Sequence, residues 1–175
     1  FKFKTLPESL TKICFVEGGD VYHDSLDTLE KTNRQAASLN PMFAVLGGDL
    51  AYAADTHGIF PDDAPRWINW LKNWKKTMVT KEGYLIPIIP AIGNHDTCGA
   101  YGKTSESASF FHHLFPMPGK QGYNVLDFGN YMSIILLDSG HTNAIDGNQA
   151  DWLSATLQAR QNVPYTFAVY HVPAY

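Results

Sequence analysis

The chain has few cysteines, no excess of basic residues and no long apolar segment. Cys14 lies in a predicted strand and Cys98 in a glycine-rich loop, so we expect a core that packs without disulfides. A net charge of −4 gives no general basic surface, so a nucleic-acid partner is not implied. No apolar segment reaches the roughly 20 residues of a membrane-spanning helix, so no membrane span is expected.

Apolar residues are nevertheless abundant. They make up 45% of the 175 residues, and aromatic residues make up 13%, which is enough for a substantial core. The sequence contains no internal repeat, low-complexity tract or linker. One domain is the simplest interpretation of the chain.

Four short apolar runs, bounded by turn residues, predict buried strands. They cover residues 13–16, 42–46, 85–92 and 165–170. Each run is followed by a polar side chain of a type that binds metals: Asp20, Asp49, Asn94 and His171. Because the carboxyl ends of strands converge in layered α/β domains, these four side chains are expected to meet in one pocket.

Glycines precede three of these side chains, namely Asp20, Asp49 and Asn94. Glycine there fits a turn that needs positive φ or a close approach of the backbone. Taken singly, however, Gly-Asp is more often an ordinary turn or helix cap. Only the combination of four such positions favours a metal site.

Helical patterns follow the predicted strands, which indicates an α/β layered fold. A helix capped by Asp24 or Ser25 is expected to run to residue 38, with Leu26 and Leu29 facing inward. A second begins at 63–65, and its tryptophan stripe predicts a core face rather than a binding platform. That stripe consists of Trp67, Trp70 and Trp74. A third helix begins near 148, and residues 123–128 and 131–137 predict a hairpin.

Four motifs in order resemble the calcineurin-like metallophosphoesterase superfamily and, within it, the purple acid phosphatases. Gly48-Asp-Leu-Ala-Tyr52 is similar to the Gly-Asp-x-x-Tyr motif of the purple acid phosphatases, in which the tyrosine binds ferric ion. Gly93-Asn-His-Asp matches the Gly-Asn-His motif, and His171 follows a late strand as in the family. The resemblance extends over residues 13–173.

The resemblance implies a layered metallophosphoesterase-like β-sandwich flanked by helices. It implies two metal ions, iron together with iron, zinc or manganese, which sequence alone does not distinguish. Asp49 would bridge the two ions. Asp20 and Tyr52 would complete the ligand shell of the first ion, and Asn94 and His171 would bind the second ion. His95 would act on the leaving group or the phosphoryl oxygens. The implied activity is hydrolysis of phosphate monoesters by metal-bound hydroxide.

The sequence departs from this family at both ends of the site. Asp20 is followed by Val21, Tyr22 and His23, so the usual Asp-x-His or Gly-Asp-x-Gly pattern is not kept. The family's final Gly-His-x-His motif is also absent. We therefore interpret residues 1–175 as the N-terminal and central portion of a metallophosphoesterase domain that lacks its C-terminal part.

Three functions remain open at this point. The first is a monoesterase acting on small phosphorylated substrates, and the second is a phosphodiesterase-type enzyme with the same metals. The third is a catalytically incomplete fragment with a binding or structural role, which the missing histidines favour. The family resemblance implies a secreted, periplasmic or lysosomal location, whereas the sequence gives no indication of oligomeric state.

Overall fold

Two three-stranded sheets packed against each other form the centre of the fold. The structure is a computed structural model that describes residues 2–10, 12–23 and 25–173. The first sheet has the order β1-β2-β3 and the second β4-β5-β6. The strands are β1 (Phe15–Gly18), β2 (Phe43–Gly47), β3 (Ile88–Ala91), β4 (Asn124–Phe128), β5 (Met132–Leu136) and β6 (Tyr165–Val169). The helices are α1 (Leu26–Ser38), α2 (Ala64–Thr77), α3 (Ser109–Leu114) and α4 (Asn148–Ala159).

Strand direction determines which ends meet. The first sheet is entirely parallel. In the second, β4 and β5 form the predicted antiparallel hairpin, while β6 pairs with β5 in parallel. β6 also lies against β2, the middle strand of the first sheet, and just beyond β6 the residue His171 contacts the carbonyl oxygen of Gly47 at the end of β2.

The buried strand β2 has an apolar side chain on each of its faces, as its continuous apolar run predicts. Phe43 and Val45 pack between the two sheets with Ile134 and Leu136 of β5. The alternate residues Ala44 and Leu46 pack instead against the helices. The layered α/β fold predicted from the sequence is therefore confirmed.

The tryptophan stripe of α2 forms part of the core between the first sheet and the helices. Trp67, Trp70 and Trp74 are each at most 4% exposed, which confirms the predicted core face. Helices α1 and α2 also share a buried polar contact, in which Asn33 Nδ2 donates to Asn73 Oδ1 and to Thr77 Oγ1, each at 3.1 Å.

The predicted start of α1 was correct in one respect and wrong in another. Ser25 is the N-cap, and its side chain accepts a hydrogen bond from the backbone amide of Thr28; Asp24 lies outside the described residues. Leu29 is buried as predicted, whereas Leu26 is 37% exposed. Leu26 occupies the first turn and lies outside the cluster of buried apolar residues that contains Leu29.

No helix in the described ranges has the length and apolar character needed to cross a membrane.

Replacement of Trp70 by alanine tests the contribution of this core. Trp70 is fully buried among other aromatic rings, so Trp70→Ala is expected to lower the free energy of unfolding by about 3–5 kcal/mol. Ile68→Ala, on the exposed side of the same helix, is the control and should cost less than about 1 kcal/mol. Urea unfolding measures both, and similar losses for the two variants would contradict this description of the core.

Candidate metal centre

Loops after four strands bring the predicted ligands together. Asp20, Asp49, Asn94 and His171 follow β1, β2, β3 and β6, each two or three residues beyond the last residue of its strand. One ligand atom from each of Asp20, Asp49 and His171 lies within 4.8 Å of the others. The first two belong to one sheet and His171 to the other, so the cluster lies where the two sheets meet.

His171 is held by contacts on both ring nitrogens. Nδ1 lies 2.8 Å from the carbonyl oxygen of Gly47, and because a carbonyl oxygen only accepts, Nδ1 carries a proton. Nε2 lies 2.8 Å from Asn94 Oδ1 and 3.4 Å from Asp49 Oδ1. The second nitrogen therefore faces two oxygen acceptors.

The groups around His171 favour a positive charge on its ring. Burial lowers the pKa of His171, but the Asp49 carboxylate and the Gly47 carbonyl outweigh it and raise the pKa to about 9. Burial likewise raises the pKa of Asp49, yet the contact with His171 and the hydrogen bond from the His95 amide bring it below its usual value. In the absence of a cation, a proton on Nε2 supplies the charge. A metal ion placed among the same atoms would replace that proton, so these donors suit a cation.

Tyr52 and Asp20 form a second pair beside Asp49. The Tyr52 hydroxyl donates to Asp20 Oδ1 at 2.5 Å. Burial, and then this hydrogen bond to a carboxylate, raise the pKa of Tyr52 well above its usual value. The phenol therefore keeps its proton at neutral pH unless a cation replaces that proton.

His95 lies at the same cluster through its backbone and its ring. Its backbone amide donates to Asp49 Oδ1 at 2.7 Å. Its ring lies against the ring of Tyr52, with centroids 4.4 Å apart. The side chain is partly exposed, so it borders the cluster while remaining open to a bound molecule.

His23 and His141 occupy different surroundings near the cluster. The exposed His23 packs edge-on against Tyr52, with ring centroids 5.0 Å apart, so it lies at the rim. His141, which the sequence placed near the strand ends, is fully buried and lies 5.8 Å from the ring of His171. His141 therefore supports His171 and is closed to substrate.

Three of the predicted ligands adopt a backbone conformation that side chains other than glycine rarely adopt. Asp20, Asp49 and Tyr52 have φ values of 54°, 54° and 51°. Such left-handed residues persist when surrounding contacts hold them, and they concentrate at functional sites.

Two glycines are required by close packing around Asp49, and a third is not. A Cβ on Gly93 would lie 2.3 Å from Asp49 Oδ1, and a Cβ on Gly48 would lie 2.9 Å from His171 Cβ. Gly48 also has φ of +93°. A Cβ on Gly19 would have ordinary space around it, and Gly19 does not have positive φ, so the positive φ expected before Asp20 is not found at this glycine. At that turn, Asp20 itself takes the positive φ.

The carboxylate of Asp96 ties two of the ligand loops together. This carboxylate is completely buried. Its Oδ2 atom accepts hydrogen bonds from the backbone amides of Asp49 at 2.8 Å and Gly93 at 3.0 Å. Its Oδ1 atom accepts one from the backbone amide of Leu50 at 3.0 Å. Both oxygens are thus occupied by backbone donors, so the carboxylate does not orient the neighbouring His95 ring. Asp96 instead holds the backbone that presents Asp49.

Two further residues hold the loops that carry the ligands, and the sequence did not predict them. Arg66 of α2 donates to the carbonyl oxygens of Ala51 at 2.9 Å and Tyr22 at 2.8 Å, which joins the first two ligand loops. Ser139 Oγ accepts from the amide of Val172 at 3.0 Å, next to His171. A lone arginine in a helix and a serine after a strand carry no sequence signal for such roles.

A cleft opens beside the cluster between the ends of β1 and β6. Its volume is about 480 Å³, and its walls include Gly19, Asp20, Tyr170 and His171. Of the five predicted ligands, Asp20 and His171 line this cleft.

Asp96→Asn tests the link between the two loops. An asparagine can accept with one oxygen only, so one buried amide loses its partner, and we expect the free energy of unfolding to fall by about 2 kcal/mol. Because Asp49 is then less well held, the affinity for Zn²⁺ should fall about 10- to 100-fold. Titration calorimetry and thermal unfolding measure the two effects. The exposed Asp146→Asn is the control, and unchanged Zn²⁺ affinity in Asp96→Asn would contradict the role given to Asp96.

Comparisons with known proteins agree with this geometry. A family model described as calcineurin-like phosphoesterase matches residues 19–175, a range that contains every predicted site residue. Among solved structures, the chain is similar to one titled "Structure of PhoD", with a TM-score of 0.60 and 13% identity. That similarity concerns the fold and covers 93% of this chain but 42% of the other. A search of curated proteins found no match.

Proposed function

The chain belongs to the calcineurin-like phosphoesterase family, and we propose that it hydrolyses phosphoesters with the aid of bound metal ions. The observation that carries this proposal is the convergence of Asp20, Asp49 and His171 within 4.8 Å at the strand ends. Oxygen and imidazole donors of this kind suit iron, zinc and manganese. Two of the three converging residues, Asp20 and His171, line the adjacent cleft, which supports access of a phosphoester from that side.

We further propose that the centre holds two metal ions. The ligand atom of Asp49 lies within 4.8 Å of those of Asp20 and His171, and each of these two contacts a further donor, Tyr52 and Asn94 respectively. A carboxylate has two oxygens and can bridge two cations. This arrangement supports the assignment of Asp49 as the bridging ligand and of each pair as the partial shell of one ion.

The donor set near Tyr52 supports a more specific assignment. A phenolate is a hard anionic ligand that suits ferric ion, and Tyr52 lies in hydrogen-bonding contact with Asp20. We therefore propose iron beside Tyr52 and a purple-acid-phosphatase-like activity on phosphate monoesters. The metal beside Asn94 and His171 would be iron, zinc or manganese.

The chain's own residues would orient the substrate and handle its leaving group. Bound cations would supply an activated water and stabilise charge on the phosphoryl oxygens, so no side chain is needed as a nucleophile. His95 lies next to Asn94 with a partly exposed ring against Tyr52. We assign it as the general acid for the leaving group, or as a hydrogen-bond donor to the phosphoryl oxygens.

Hydrolysis of two chromogenic substrates tests this function. The purified chain is loaded with Fe³⁺ and Zn²⁺ and assayed with p-nitrophenyl phosphate and bis(p-nitrophenyl) phosphate. We expect kcat/KM to be at least about tenfold higher for the monoester, and Asp49→Asn to lower it by about 100-fold or more. Asp146→Asn, an exposed change of the same kind, should leave the rate unchanged.

The other outcomes of this assay are equally informative. Faster hydrolysis of the diester would contradict the monoesterase assignment and favour a phosphodiesterase. Failure to hydrolyse either substrate, with metal bound, would contradict catalysis by this chain and favour a binding role.

Tyr52→Phe tests the proposed iron ligand separately from activity. If Tyr52 binds ferric ion, the iron-loaded chain has a tyrosinate charge-transfer band in the visible spectrum. The variant is expected to lose that band because phenylalanine has no oxygen ligand. Tyr101→Phe removes an exposed hydroxyl and is the matched control. A band that persists in Tyr52→Phe at equal iron content would contradict the assignment.

A further inference from the structure

A buried histidine outside the predicted ligand set lies where three loops of the candidate metal centre meet. His141 follows β5 and is completely buried. Its ring lies 5.8 Å from the ring of His171, which follows β6, and it stacks on the ring of Tyr101 with centroids 4.9 Å apart. Tyr101 belongs to the loop that follows β3 and the Gly-Asn-His motif. From its own loop, His141 therefore contacts the two loops that follow β3 and β6.

Backbone hydrogen bonds join the loop of His141 to the loop after β3. The amide of Gly102 donates to the carbonyl oxygen of Gly140 at 2.9 Å, and the amide of Lys103 donates to that of His141 at 2.8 Å. Ala100 in the same loop has φ of +63°, a conformation that residues other than glycine rarely adopt. Such a conformation persists when surrounding contacts hold it, and His141 makes one of these contacts.

The turn that carries His141 is itself held by Asp138 and Gln149. Asp138 is 1% exposed, and its Oδ1 atom accepts from the backbone amide of His141 at 2.7 Å. The side chain of Gln149 in α4 accepts from the amide of Asp138 at 2.8 Å and donates to its carbonyl oxygen at 2.9 Å. The fold therefore determines where the ring of His141 lies.

The hydrogen bonds of His141 determine which nitrogen carries its proton. Nδ1 lies 3.0 Å from the carbonyl oxygen of Ala100, and because a carbonyl oxygen only accepts, Nδ1 carries a proton. Burial lowers the pKa of His141, and this effect exceeds those of the Ala100 carbonyl and the Asp138 charge, which raise it. The ring is therefore uncharged at neutral pH, and Nε2 is an acceptor.

This acceptor sets the direction of the Ser139 hydroxyl. Nε2 of His141 lies 3.3 Å from Ser139 Oγ, so the hydroxyl donates to it. The same oxygen accepts from the backbone amide of Val172, the residue after His171, at 3.0 Å. Three hydrogen bonds with a single direction of donation thus run from the Val172 amide, through both side chains, to the Ala100 carbonyl.

We propose that His141 is a positioning residue for the metal centre, which holds His171 in place by orienting the hydroxyl of Ser139. The inference rests on the proposed function, because the ligand role of His171 belongs to that function. With its acceptor in place, the Ser139 hydroxyl keeps its proton away from the Val172 amide and offers that amide an oxygen lone pair. Without the acceptor the hydroxyl can rotate, so the backbone next to His171 loses a fixed partner. The ligand nitrogen of His171 is then less well placed for a metal ion.

Two measurements on the metal-free chain test the hydrogen bonds themselves. We expect ¹⁵N NMR to show His141 with its proton on Nδ1 and none on Nε2 at neutral pH. Hydrogen exchange of the Val172 amide is expected to be about tenfold faster in Ser139→Ala, because this amide then lacks its partner. A proton on Nε2 of His141, or unchanged exchange of Val172 in Ser139→Ala, would overturn the inference.

Zn²⁺ affinity, measured by titration calorimetry, tests the effect on the metal centre. We expect Ser139→Ala and His141→Phe each to weaken binding about tenfold. The double variant should bind little more weakly than either, because both changes act through one hydroxyl. Ser139→Thr keeps the hydroxyl and should restore the affinity of the unmodified chain. Ser133→Ala is the matched control and should not change the affinity, since it removes a buried hydroxyl of β5 that donates to Asp127 at 2.7 Å.

Three results of this titration would contradict the role of His141. They are an unchanged affinity in Ser139→Ala, an equal loss in Ser133→Ala, and losses that add fully in the double variant. Should His141→Phe fail to fold, the proton position in the unmodified chain and the affinity of Ser139→Ala decide in the same way. If the unmodified chain binds no Zn²⁺, the proposed metal centre is contradicted, while the two metal-free measurements still decide whether His141 orients Ser139.

Discussion

The buried carboxylate of Asp96 is the constraint on which the candidate metal centre depends. Three backbone amides, from Asp49, Leu50 and Gly93, point at its two oxygens. Each of these amides would otherwise be buried without a partner, at a cost comparable to a lost hydrogen bond. Burial, the largest influence, and the charge of Asp49 raise the pKa of Asp96 to about 7, while the three donors oppose that rise. The carboxylate thus fixes the turn in which Asp49 takes positive φ.

The second sheet contributes the remaining predicted ligand, His171, to the site. Asp20, Asp49 and Asn94 follow strands of one parallel sheet, whereas His171 follows β6 of the other. Two of the hydrogen bonds that join the His171 segment to its surroundings run from His171 Nδ1 to the Gly47 carbonyl and from the Val172 amide to Ser139 Oγ. The position of His171 relative to Asp49 is therefore set by the packing of β6 against β2 and by these two contacts. A ligand set drawn from both sheets requires the whole sandwich to be folded.

The sequence predicts the elements and the convergence of the ligands because both follow from local patterns. Apolar runs bounded by turns indicate strands, and a polar residue after each run indicates the edge where strands end. Trp67, Trp70 and Trp74 recur at helical spacing, and they are buried as expected. Gly48 and Gly93 are required for the reason that the pattern suggests, the close approach of the backbone to the ligand loop.

What the sequence does not predict depends on contacts between distant residues. Asp96 follows the Gly-Asn-His motif directly, yet its partners lie 46 and 47 residues away in the chain. The pattern favoured Leu26 as a core residue, but Leu26 is exposed and lies outside the buried apolar cluster that contains Leu29. The burial of His141 arises from packing around its ring, which no local pattern encodes.

The metal content of the purified chain tests the central claim most directly. The chain is incubated with iron and zinc salts, separated from unbound metal by gel filtration and subjected to elemental analysis, alongside Asp49→Asn. The proposed bridged pair predicts about two metal ions per chain and a clear loss in the variant. Retention of no metal by the unmodified chain, or equal retention by Asp49→Asn, would contradict the assignment of the strand-end cluster as a metal centre.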